Sequence, residues 1–197
     1  AGVGIDHLSF RERQDEDVLR RVVMEMVAAP DAQVDLVKAL VQAADLGVES
    51  MQVRSQEIPQ EVRARIERVL RAIEDGDDQG EVDVPSLQEE VVFRHHCKDG
   101  KSFELPVHRE SSGTITWLSM AWHALDSLRN GTVLLVDELD ASLHPVLARQ
   151  VVELFLDPSL NTKGAQLVFS SHDVTLLGNS PTRLLEPRQV WCAQKGR

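Results

Sequence analysis

Apolar residues recur at helical spacing in three early stretches, Asp17 to Val27, Val34 to Leu46 and Gln60 to Ile73, with Ala29-Pro30-Asp31 parting the first two. Asp75-Gly76-Asp77-Asp78-Gln79-Gly80 then breaks the periodicity and predicts a loop. Beyond it the pattern changes. Val91-Val92-Phe93 and Phe103-Glu104-Leu105-Pro106 read as strands joined at Lys98-Asp99-Gly100-Lys101, with Asp-Gly the turn pair of a hairpin. A helical run follows, carried by Ile115, Leu118, Ala121, Trp122, Leu125 and Leu128, and Pro145 begins another helix. Val133 to Val136 and Ala165 to Phe169 are short continuous apolar runs, as expected of strands covered on both faces. Gln189 to Gln194 reads as a last strand. The pattern predicts an α/β fold, a parallel sheet flanked by helices, preceded by a helical section.

Candidate chemistry sits where these elements end. Val133 to Val136 run straight into Asp137 and Glu138, and function collects at the carboxyl ends of parallel strands. Paired carboxylates there need a partner, and a divalent cation with a polarised water would supply one, as in nucleotide hydrolysis. Glu110-Ser111-Ser112-Gly113-Thr114 is a small-residue loop opening a helix, where unpaired N–H groups and the helix dipole favour a phosphate. The second strand ends in Ser170-Ser171-His172-Asp173, which places a histidine within reach of a phosphate or a catalytic water.

In order and content these pieces resemble the ATP-binding-cassette (ABC) class of P-loop ATPase. ESSGT stands at the signature loop, VLLVDE at Walker B, Ala141-Ser142-Leu143-His144-Pro145 at the D-loop and SSHD at the switch histidine. The ending LHP is similar to the soluble branch with RecF-like and OLD-like proteins. Together with the phrase AADLGVESMQV, the motifs look like the OLD-like ATPases of the abortive-infection group, found in bacterial anti-phage systems. The likeness is strong from about Val91 to Leu177. It implies the C-terminal lobe of an ABC-type ATPase domain with ATP and Mg²⁺ as cofactors. By the same resemblance Asp137 holds Mg²⁺, Glu138 handles the attacking water, and His172 contacts the γ-phosphate or the water. Ser111, Ser112, Gly113 and Thr114 meet a nucleotide held by a second copy of the head, with Ser142 and His144 at the interface between copies. His144 has an alternative role, capping the helix that Pro145 begins. Asp140 is read as an interface group or a support for its neighbours.

One motif of that class is missing. The sequence holds no GxxxxGK followed by Ser or Thr. His95 to Ser102 has the Gly-Lys-Ser ending, but His95 stands at the first glycine position, and Phe103-Glu104-Leu105-Pro106 continues as a strand where a P-loop leads into a helix. The expectation is that the Walker A lobe precedes Ala1 in a longer protein and that this chain alone is inactive. His95, His96, Cys97 and His108 also suggest zinc, but neighbouring strand residues face opposite ways, so His95 and His96 do not easily share a tetrahedral centre.

Composition refines the division. Of 197 residues 42% are hydrophobic, enough for a packed core, and no apolar run approaches membrane-spanning length. A cytoplasmic protein is expected; Cys97 and Cys192 do not suggest a disulfide framework. Residues 1–90 hold 10 Lys and Arg against 21 Asp and Glu, whereas the remainder hold 11 of each. Residues 1–85 are accordingly read as an acidic helical insertion or arm and residues 86–197 as the ATPase lobe. Duplex binding by the acidic part is disfavoured, since phosphate contacts need clustered cations; nucleic acid contact elsewhere, and a nuclease or toxin partner, stay open. The three tryptophans lack interleaved basic residues and are read as core or interface.

Two other functions compete with a dimerising ATPase: a metal-dependent nuclease built on Asp137, Glu138, Asp140 and Asp173, and a scaffold that binds nucleotide without turnover. Retention of Glu138 argues against the scaffold.

Overall fold

The computed structural model describes residues 4–8, 16–44, 46–73, 86–97, 100–141, 143–178 and 183–193. Two three-stranded sheets share a core. The first is parallel, in the order β1 (Ile5–Leu8), β5 (Val133–Val136), β6 (Gln166–Phe169). The second is antiparallel, in the order β2 (Val48–Glu57), β3 (Leu87–His96), β4 (Ser102–Pro106). The helices are α1 (Glu16–Ala28), α2 (Asp31–Ala43), α3 (Gln60–Ile73), α4 (Ser112–Asn130) and α5 (Pro145–Leu156).

Helix α4 joins the two halves. It packs on α1 and α2 on one side and on α5 and β5 on the other, so it is buried nearly all round, as a helix without a solvent face must be. The sequence stripe from Ile115 to Leu128 captured only part of this. Trp117 is fully buried and its indole N–H donates to the Leu40 carbonyl of α2 at 3.1 Å, while the Trp122 indole donates to Glu25 of α1 at 2.7 Å. A buried indole needs such an acceptor. At the far end Gly131 takes φ 69° and returns its N–H to the Ser127 carbonyl, the left-handed stop that lets the chain enter β5.

The first 85 residues therefore supply a strand to each sheet as well as three helices. Neither strand was read from the sequence: β1 spans only four residues, and β2 carries an irregularity between Val48 and Ser50 that interrupts its alternation. At the other end the expected strand over Gln189–Gln194 is replaced by a short 3-10 turn, Pro187–Gln189, and irregular backbone to Ala193; Gln194 lies outside the described residues. Glu186 and Gln189 cap that turn reciprocally, and Trp191 is 92% exposed. An alternating segment with no neighbouring strand has nowhere to place its backbone hydrogen bonds.

Candidate functional site

The chain turns at once on leaving β5. Glu138 takes φ 51°, in the left-handed region that a β-carbon disfavours. Strand β6 holds this turn. The pairing of Val136 with Phe169 sets Asp137 beside Ser170, whose hydroxyl accepts from the Glu138 N–H at 2.8 Å and donates to Asp137 Oδ1 at 2.6 Å. The Leu139 N–H donates to the Ser170 carbonyl at 2.9 Å. A single hydroxyl thus orients both carboxylate-bearing residues.

A second tie lies beyond the first. The Ser171 hydroxyl and the His172 backbone N–H both donate to Asp140 Oδ1, at 2.6 and 3.1 Å. Partial burial pushes the Asp140 carboxyl up, but the Ser171 hydroxyl, the backbone N–H groups of His172 and Asp140, and the nearby His172 ring together hold it below its ordinary value. Ser171 Oγ also accepts from the Asp173 N–H at 3.0 Å, and Asp173 accepts from the Thr175 N–H at 2.8 Å to start the short 3-10 turn Val174–Leu177. The backbone at His172 is fixed while its side chain stays exposed.

The structure therefore gathers Asp137, Glu138, Asp140 and His172 at the carboxyl ends of β5 and β6. In the sequence Ser170 and Ser171 read only as flanks of the histidine. Their signal was available: two hydroxyl residues ending a strand opposite two acidic ones can tie the ends together.

The Ser111–Thr114 loop is a separate feature at the amino end of α4. Ser111 is the N-cap; its hydroxyl accepts from the Thr114 N–H at 3.1 Å and lies 2.9 Å from Thr114 Oγ1. Ser112 is exposed, Gly113 half-buried and Thr114 buried. His144 is the N-cap of α5, its Nδ1 accepting from the Val146 N–H at 3.3 Å, with Pro145 following. Ser142 lies outside the described residues. Two of the histidines considered for zinc have other partners: His95 pairs with Glu110, and His108 with Glu90 at 3.1 Å.

The sequence model of the family described as "AAA domain, putative AbiEii toxin, Type IV TA system" matches residues 10–178. The chain belongs to that family. It is an AAA-type domain of the P-loop ATPase class, a class that binds nucleotide and hydrolyses ATP with Mg²⁺. No curated protein matches the chain. Among the described residues no helix is long and apolar enough to cross a membrane.

Proposed function

We infer that this domain is the dimerising, ABC-type head of an OLD-like ATPase, in which ATP closes two copies and hydrolysis reopens them, acting as the switch of a bacterial anti-phage or DNA-maintenance protein. The observation that carries this reading is the Ser170 hydroxyl joining Asp137 to Glu138 beside the His172 strand end. It fixes the Asp137 carboxylate and the Glu138 backbone at the edge where a nucleotide's terminal phosphate would react, and in-line phosphoryl transfer depends on such positioning.

The donor set fits the cofactors. Asp137 and Ser170 offer oxygen atoms, the ligand type Mg²⁺ takes, and Asp137 would hold the ion. Bound there, Mg²⁺ would neutralise charge on the β- and γ-phosphate oxygens. Glu138 would orient or deprotonate the attacking water, and His172 would contact that water or the γ-phosphate. Ser111, Ser112, Gly113 and Thr114 would meet the nucleotide of the opposite head, since a helix N-terminus offers unpaired N–H groups to an anion. Ser142 and His144 would lie along the interface.

A phosphate clamp is still needed. Ile5, His7, Val133, Leu135, Gln166 and Val168 share the face of the parallel sheet opposite the buried Leu134 and Val136, and Ile5 and Val168 there are 65% and 54% exposed. Parallel sheets are ordinarily covered on both faces. This supports a strand–loop–helix unit, carrying the Walker A lysine and supplied from outside residues 1–197, as the missing layer. The nuclease reading is less well supported, because Asp140 accepts from Ser171 and His172 across the two strand ends and Asp173 accepts from Thr175 in its own loop, which ties a carboxylate oxygen of each into the loop framework.

The test is turnover of ATP by the protein containing that unit. Asp137→Ala should abolish Mg²⁺-dependent hydrolysis; undiminished hydrolysis by the variant contradicts the assignment.

A further inference from the structure

Glu110 precedes the N-cap of α4, yet its side chain is only 3% exposed and is turned into the antiparallel sheet. There it meets His95 of β3, itself 12% exposed, with Nε2 2.5 Å from Glu110 Oε1. The other ring nitrogen, Nδ1, lies 3.1 Å from the Gly47 carbonyl. Phe103 of β4 stacks on the imidazole, with centroids 5.2 Å apart and planes at 18°. A carbonyl oxygen only accepts, so Nδ1 donates to Gly47 while Nε2 pairs with the carboxyl group of Glu110. The turn before β2, strand β3 and strand β4 thus all hold one imidazole.

That imidazole answers two physical demands. A buried carboxylate is costly without a partner, and His95 supplies it. An acidic side chain beside a helix N-terminus is also drawn to the unpaired N–H groups there, where it would compete with an incoming phosphate. Sequestered on His95, Glu110 leaves those groups to the ligand. Its backbone, extended and closing the turn Val107–Arg109 through a 3.1 Å bond to the Val107 carbonyl, is pinned on the sheet side of the loop.

We propose that His95 is a positioning residue for the phosphate-contacting loop: by holding Glu110 it places Ser111–Thr114 and keeps a carboxylate away from the loop N–H groups. The role rests on the ATPase-head reading above and extends it to the antiparallel sheet. The sheet meets the loop through this pair, alongside the His108–Glu90 contact and the chain connection from β4 through Val107–Arg109.

Hydrogen exchange on residues 1–197 tests the latch itself. His95→Ala should speed amide exchange across Glu110–Thr114 and leave α1 and β5 unchanged. His95→Gln, whose amide can still donate to Glu110, should restore most of the protection, and Glu110→Ala combined with His95→Ala should add nothing further. Should His95→Ala fail to fold, Glu110→Gln, which keeps the volume and weakens the bond, gives the same comparison at smaller amplitude. In the protein completed by its phosphate-binding unit, His95→Ala should raise the ATP concentration needed for head association roughly tenfold, the effect of one lost charge-assisted bond. ATP affinity of the unassociated head should not change, and His95→Gln should be near normal. Unaltered exchange at Glu110–Thr114 overturns the proposal, as does altered exchange with unaltered association. If the unmodified protein does not associate with ATP, the ATPase-head reading fails, while the exchange measurement still decides whether His95 positions the loop.

Discussion

The Ser171 hydroxyl donates to Asp140 Oδ1 at 2.6 Å, joining the turn after β5 to the loop after β6. Because this bond and the His172 N–H hold the Asp140 carboxyl below its ordinary value despite partial burial, the ionised form stabilises the folded state. That contribution is fully present above the unfolded pKa, near 3.8, and is lost as pH falls through the lower folded value. Asp140→Ala should cost about 1 kcal/mol at neutral pH, the modest end for hydrogen bonds to a partly exposed charge. Asp140→Asn keeps an acceptor and should lose less. The gaps between the urea midpoints of the three proteins should narrow as pH falls from 7 to 3; a gap that widens there would contradict the pairing.

Gly131→Ala should destabilise the domain by about 1–3 kcal/mol, the range for a residue forced into a sparsely populated backbone region. At φ 69° an added β-carbon would sit 2.9 Å from the Lys163 carbonyl oxygen, so strain and a backbone clash act together. Thermal unfolding measures it.

Trp117 tests whether the early helices belong to the same cooperative unit. Trp117→Phe removes the donor to Leu40 and some volume, and should cost about 1–3 kcal/mol; Trp117→Ala should cost about 3–5 kcal/mol. If α1 and α2 form part of one core with α4, both variants shift a single unfolding transition. A separate transition for the acidic helices, unmoved by either variant, would show that they fold independently.

What the sequence disclosed followed the strength of each periodic signal. Helices α1, α2 and α3 and strand β5 were legible because their apolar spacing is sustained or uninterrupted, and the hairpin because Asp99-Gly100 punctuates it. Strand β1 was hidden because a four-residue edge strand is recognisable only by its partner, and the last strand was overread because Trp191 and Val190 alternate without a neighbour. In the candidate site, Asp137, Glu138 and His172 stood out as charged residues at strand ends. Ser170 did not, since its role comes from the register between β5 and β6. Glu110 and His95 lie 15 residues apart on different elements, and nothing local couples them.

Residues 1–197 alone should bind ATP weakly and hydrolyse it at background rate, since the loop N–H groups and lysine that grip the β- and γ-phosphates are not among its motifs. Vigorous Mg²⁺-dependent turnover by this chain, abolished by Lys101→Ala, would instead make the β3–β4 hairpin the phosphate-binding loop.

In the proposed mechanism Glu138 acts on water at a nucleotide shared by two heads. Glu138→Gln keeps the side-chain volume and removes the carboxylate, so ATP should stay bound and the closed dimer should persist. Light scattering of the completed protein with ATP and Mg²⁺ should show the Glu138→Gln variant as a stable dimer, while a bulky residue at Gly113 keeps the protein monomeric. A Glu138→Gln protein that remains monomeric, or that hydrolyses ATP at the unmodified rate, would rule out this role for Glu138.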